Sequence, residues 1–360
     1  MSASSNQRLL LFVGSYAETT DPGVYVYEMN PADGSLKLLD QASGLKNPTF
    51  LAVAPEQGKV YAIGEVSIEG ERTGEIAALT WNGDAGKLRE LNRSVTIRPS
   101  SSHIQLDGSM RFAAVSGYHG GNVGLVAIEA DGTIGNLTDE QQHTGQGADP
   151  ERQDRPHPHS VTFSPDNRYA LVADLGLDKI VVYALKSEER QLVFHSEAAT
   201  PPGAGPRHLA FHPNGAWLYS INEVNSSISV FSYNGEQGKL TLIDTVPTLP
   251  ADYQGENTTA EIAISQDGRY LYGSNRGHDS IVQFAIDSAS GKLELKKHVS
   301  SQGGHPRHFA LTPDGQYLIA ANRDDNVLAV FSVEPESGAL QFTGQTAQVS
   351  KPVCVKPVLL

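Results

Sequence analysis

GPRHLAFHPNGAWLYSINE, from Gly205 to Glu223, returns in closely similar form as HPRHFALTPDGQYLIAANR, from His305 to Arg323. Each copy carries an arginine near its start, Arg207 or Arg307, and runs through alternating apolar positions. It turns at Pro-Asn-Gly or Pro-Asp-Gly, then alternates again to an Asn and one final charged residue. Alternation with a period of two marks β-strands, and the Pro/Asn/Gly cluster between the runs marks a tight hairpin. The copies differ at the end, Glu223 in one and Arg323 in the other.

The same unit recurs through the chain. Taking one apolar anchor in each copy gives Val53, Ile104, Phe163, Phe211, Ile264, Leu311 and Val355, spaced by about 50 residues. Each hairpin is followed by another alternating run, such as SISVFSY or VLAVFSV, by a glycine-containing turn such as NGEQGKL, and by a fourth run. No long segment carries a helical period. Four short antiparallel strands repeated at this spacing describe a β-propeller blade. The chain starts on a second strand, LLLFVGSY, and finishes on a first strand, KPVCVKPVLL, so each end supplies what the other lacks. The expectation is therefore an all-β, seven-bladed propeller over residues 1–360. The C-terminal strand completes the N-terminal blade, and residues 1–8 form a flexible tail.

Composition narrows the function. The chain has 360 residues, 39% hydrophobic and 19% charged, with a net charge of −14. That balance argues against a nucleic-acid partner and against an anionic membrane surface. There is one cysteine, Cys354, so no disulfide can form within the chain, and the thiol reads as buried and inert in a reducing compartment. The polar start MSASSNQR does not read as a secretory signal, and no apolar run reaches transmembrane length. A cytoplasmic monomer or weak homodimer is expected.

In such a ring the turns at one face are tight, whereas the long connections gather at the other. Those include the stretch near Val66, GYHGGNV around Tyr118, the polar run from Thr138 to Pro158, and 246–258. Function is expected on that face. Two columns of residues reach it. Thr49, Ser100, His159, Arg207, Ala260, Arg307 and Lys351 start the inner strands. Tyr16, Glu65, Gly117, Leu175, Glu223, Arg276 and Arg323 end the second strands. Antiparallel pairing brings the columns together, placing His159, Arg207, Arg276, Arg307, Arg323 and Lys351 with Glu65 and Glu223 around one mouth. His103 and Tyr118 join the expected substrate contacts. Any one such arginine could instead be a solvated or inter-blade residue. His208 and His308 read as packing or hydrogen bonding between blades, and Asp174, Asn222, Asn275 and Asn322 as residues that lock turns. His157 and His159 have metal-ligand spacing, but no matching ligand set is fixed, so neither metal nor cofactor is expected.

At these residues the sequence resembles the family of seven-bladed β-propeller lactonases, which includes bacterial 6-phosphogluconolactonases and fungal carboxy-muconate cyclases. The resemblance spans nearly the whole chain. It is carried by HPHSVTFSPD with His159, GPRHLAFHPNG with Arg207, LYSINE with Glu223, RYLYGSNR with Arg276 and HPRHFALTPDG with Arg307. It implies a catalytic set of His159, Arg207, Glu223 and Arg276 acting on a small anionic lactone. The expected reaction is hydrolysis of a sugar lactone, above all 6-phospho-D-glucono-1,5-lactone of the pentose phosphate pathway. A muconate-type lactonising cycloisomerase and a non-enzymatic interaction propeller are the alternatives. Glu223 or His159 could serve as general base. Cations around a carboxylate weaken it as a base, which favours His159, with Glu223 as its orienting partner or the holder of an arginine. Arg207 or Arg276 would stabilise the oxyanion. Ala260 departs from the pattern, since its column loses a polar group there.

Overall fold

The computed structural model describes residues 8–82 and 86–360. They form seven sheets of four antiparallel strands each. In six sheets the four strands follow one another in the chain. In the seventh, the order runs Pro352–Leu359, Leu9–Ser15, Val24–Met29, Leu36–Ala42. The last strand thus pairs with the first as the innermost member of that blade, as the sequence implied. Of the expected tail, residues 1–7 lie outside the described residues. Arg8 exchanges backbone hydrogen bonds with Leu360 at 3.2 and 2.9 Å and pairs with Glu28 at 2.7 Å.

Blades 1 to 6 are numbered here from the inner strands Leu51–Ala54, His103–Leu106, Pro158–Phe163, Pro206–Phe211, Thr258–Ile264 and Pro306–Leu311; blade 7 begins at Pro352–Leu359. Each inner strand packs against the next, from blade 1 round to blade 7 and back to blade 1. Burial follows position. The second strand Trp217–Asn222 is buried throughout, because neighbouring blades cover both faces, and it carries large apolar residues on each side. The outer strand Lys239–Pro247, with only one neighbour in its sheet, holds no fully buried residue. Among the described residues no helix is long and apolar enough to cross a membrane.

One irregularity positions the site. In blade 3 the register jumps between Pro158 and Ser160; blade 4 repeats this between Pro206 and His208, and blade 6 between Pro306 and His308. His159, Arg207 and Arg307 are therefore the extra residues of three β-bulges, freed from the ladder and re-aimed at the mouth of the channel. In blade 7 the skipped residue is Val353, and in blade 2 His103 pairs with Ser116. These registers shift the inner-strand column by two residues in blades 2 and 7, and the second-strand column by one residue in blade 2. Val353, not Lys351, stands where Arg207 stands in its blade; Ser102 replaces Ser100, and Tyr118 replaces Gly117. Lys351 instead matches Gly205 and His305, and all three take a left-handed backbone, with φ of 42°, 68° and 58°.

Candidate active site

The side chains at the channel mouth form two layers. The upper layer surrounds a cavity of about 390 Å³ lined by Tyr16, Asn47, Glu65, Arg72, Tyr118, His119, His159, Glu223 and Arg307 among others. That size suits a small ligand.

Glu223 is the hub. Its Oε2 accepts from Nε of Arg207 at 2.8 Å and from Nη2 of Arg276 at 2.8 Å. Its Oε1 accepts from Nη2 of Arg152 at 2.5 Å. Burial alone would raise this carboxyl; the three guanidinium groups overcome it and hold Glu223 far below the usual carboxylate range. The arginines have further anchors. Nη1 of Arg207 donates to the Ala260 carbonyl at 2.7 Å across the blade boundary, and Nη2 of Arg276 donates to the Thr259 carbonyl. Burial and the neighbouring Arg276 and Arg307 push Arg207 below the ordinary guanidinium range, with Glu223 and Glu261 opposing. A guanidinium starts so high that it stays charged at neutral pH.

His159 lies beside this clamp. Its ring meets Tyr118 and His208 edge-on at 5.5 and 5.2 Å. Burial lowers its pKa well below the ordinary histidine value, and Arg207, His208, Arg307 and Arg276 lower it further, so His159 is neutral at pH 7. Its Nδ1, like Nε of Arg276, is a buried polar atom with no hydrogen-bond partner among the described residues. Buried groups of this kind are few in native proteins and call for a specific explanation.

The other expected residues fall into three places. Glu65 and Tyr118 line the upper cavity, Glu65 with Arg72 at 4.0 Å and Tyr118 stacked on His157 at 4.4 Å. Arg307 lines it too, its guanidinium 5.8 Å from the centre of the Tyr16 ring, and among the described residues it has no carboxylate partner. Arg323 and exposed Lys351 sit instead in an adjoining depression with Asp324 and Asn326, and Tyr16 and Asn47 line both spaces. There Nε of Arg323 pairs with Asp324 at 2.6 Å. His103 drops to the lower layer. Its ring lies 4.2 Å from Phe50, which also meets His208 and His308 at 5.7 and 5.4 Å, so rings from four blades close the channel beneath the cavity.

In that lower layer, Nδ1 of His208 and Nε2 of His308 both hydrogen-bond to Oε2 of Glu261 at 3.0 Å. These histidines do bridge blades, as their sequence position suggested. Nη1 of Arg207 reaches Nε2 of His208 at 3.2 Å, linking the layers. Of the turn-locking residues, Asn275 donates to the Thr248 carbonyl, Asn322 to the Ser301 carbonyl, and Asp174 accepts from the His157 amide; Asn222 bonds to Ser227 and Ser229 side chains instead. His157 directs Nδ1 to the Tyr118 carbonyl, and no group of three or more metal-ligating side chains occurs among the described residues.

Sequence reasoning missed Arg152. It lies in the polar run between blades 2 and 3, where no strand period fixes its direction. Only the length of that connection on the functional face marked it. The arrangement offers a neutral imidazole, fixed guanidinium donors and a closed floor, suited to activating water beside a carbonyl.

The family model for "Lactonase, 7-bladed beta-propeller" matches residues 10–357. A 6-phosphogluconolactonase of Bacillus subtilis is 34% identical over 345 residues, covering 96% of this chain and 97% of the relative. A 6-phosphogluconolactonase of Formosa agariphila is 33% identical over 307 residues, 83% and 85% of the two chains. The solved periplasmic gluconolactonase of Pseudomonas aeruginosa superposes with a TM-score of 0.90 at 32% identity, covering 98% of this chain and 99% of that one.

Proposed function

The chain belongs to the lactonase family of seven-bladed β-propellers, and from that premise we propose that it hydrolyses a sugar lactone, with 6-phospho-D-glucono-1,5-lactone as the preferred substrate. The observation that carries this reading is that neutral His159, the arginine-clamped Glu223 and Arg307 line one cavity, with no carboxylate paired to Arg307 among the described residues. His159 takes a proton from water as the water oxygen attacks the lactone carbonyl. The tetrahedral oxyanion is met by Arg207 or Arg276. Collapse breaks the bond to the ring oxygen, which receives the proton from His159 and becomes the hydroxyl of the open acid. Glu223, pinned by three cations, is too weak a base for this task and keeps the arginines in place.

A phosphate suits the remaining cations, because arginine grips phosphate through a planar fork. Arg307 would meet it at the cavity wall, with Arg323 and Lys351 beyond Tyr16 extending the cationic strip. Asp324 opposes this by occupying part of Arg323. A cytoplasmic site of action and a place in the pentose phosphate pathway go with the phosphorylated substrate. The unphosphorylated glucono-1,5-lactone is the second reading, favoured by the name of the Pseudomonas relative. The test follows loss of each lactone against its spontaneous decay. Faster turnover of the phosphorylated substrate supports the first reading, and equal or reversed preference supports the second. No acceleration of either at micromolar protein overturns both.

A further inference from the structure

Asp178, in the turn after the second strand of blade 3, lies outside the cavity lining and is buried. Its Oδ1 accepts from Nε2 of Gln153 at 2.6 Å and from the Gly205 amide at 2.8 Å; its Oδ2 accepts from the Gly203 amide at 2.7 Å. The Gln153 and Gly205 contacts lead to the clamp. Gln153 is fully buried and adjoins Arg152, and it also donates to the Leu175 carbonyl at 2.8 Å. Its Oε1 accepts from the Asp149 amide at 2.8 Å, closing the turn that presents Arg152. Gly205 stands two residues before Arg207, and its carbonyl accepts from the Glu223 amide at 2.7 Å. Gly205 has φ of 68°, and a Cβ there would stand 2.5 Å from Val224, so neither the backbone shape nor the space admits another residue without movement.

We infer that Asp178 is a positioning residue for the lactonase site: it sets the Arg152 connection and the Arg207 strand in one register around Glu223. This inference rests on the proposed function for its kinetic consequence, although its structural core does not. Asp178 must be a carboxylate to do this. All of its partners are N–H donors, and an asparagine amide in either orientation turns an NH₂ toward one of them. Arg152 is the clamp member most dependent on this support. It comes from a connection rather than a strand, and its side chain is 38% exposed.

The test compares Asp178→Asn and Gln153→Ala with the wild type in two independent readouts. One is the kcat and KM of lactone hydrolysis. The other is the pH titration of the Glu223 carboxyl carbon by NMR, which needs no substrate. Glu223 is faced by Arg152, Arg207 and Arg276, and shares the cavity with His159, His119, Arg72, Glu65 and Arg307, so loosening Arg152 removes one of its three direct cations. Asp178→Asn is expected to lower kcat about tenfold or more while changing KM less, and to move the Glu223 titration upward. Tyr61→Phe is the control for general destabilisation. It deletes a buried hydroxyl bonded to the Gly132 carbonyl at 2.9 Å, away from the clamp, and should leave both readouts unchanged. A folded Asp178→Asn protein with an unmoved Glu223 titration overturns the inference whatever the activity. A titration moved in Asp178→Asn, alongside a wild type that hydrolyses no lactone, would sustain the positioning role and sink the proposed function alone.

Discussion

Replacing Glu223 by glutamine keeps the shape of the clamp and removes the charge at its centre. Arg207 and Arg276 are then left with side chains 3% and 5% exposed and no carboxylate between them. Breaking a buried ion pair by removing one partner costs about 3–5 kcal/mol, because the remaining charge stays desolvated. Arg152 adds little, since its exposed part regains water. At about 2 °C per kcal/mol for a chain of this size, Tm should fall by about 6–10 °C. The sign with pH follows from the depressed folded pKa of Glu223. Its stabilisation is complete above the unfolded carboxylate value of about 4.3 and is lost as pH falls through the folded value. The gap between wild type and Glu223→Gln should therefore be constant from pH 6 to 8 and narrow below about pH 4. Urea unfolding at several pH values measures it; guanidinium chloride would screen the interaction under test. A gap under about 1 kcal/mol at pH 7, or an undiminished gap in acid, refutes the account of the clamp. So would the disappearance of an acidic limb from the pH–rate profile of Glu223→Gln, which would make Glu223 the base.

Three other outcomes are expected. His159→Gln should lower kcat by about 10²–10⁴-fold, the usual worth of a general base, and wild-type kcat/KM should show no loss of activity near pH 6.5, because His159 titrates well below that value; a midpoint near 6.5 assigns the base elsewhere. Arg307→Ala should raise KM for 6-phosphogluconolactone by about tenfold or more while hardly affecting glucono-1,5-lactone, and equal losses on both would deny it a phosphate role. The Cys354 thiol, fully buried and pushed up to about 11, should resist a thiol reagent in the native protein and react at once in denaturant.

Blade number, strand order and ring closure were legible because apolar alternation repeats with the same turns, and a strand without a partner stood at each end. His159, Arg207, Glu223, Arg276 and Arg307 emerged from the same columns, and these five residues do gather at one mouth. The inner-strand column slipped by two residues at Ser100 and Lys351 for a physical reason. A shift of two residues preserves which side chains face inward, so hydrophobic patterning cannot detect it. The Pro352 pairing in blade 7 and the His103 pairing in blade 2 fix what the pattern leaves free. The bulges were equally hidden, although they free His159, Arg207 and Arg307 from the ladder. Arg152 was missed because a connection has no period to read; its direction comes from Gln153 and Asp178, residues remote from it in kind and, for Asp178, in sequence.

The pairing of Leu9–Ser15 with Pro352–Leu359 has a consequence for how the molecule is made. During vectorial synthesis the first three strands leave the ribosome with no inner neighbour, and they wait with an open hydrogen-bonding edge until nearly all the remaining chain has been translated. A chain without Pro352–Leu359 could stack its other blades yet would leave the inner edge of Leu9–Ser15 unpaired.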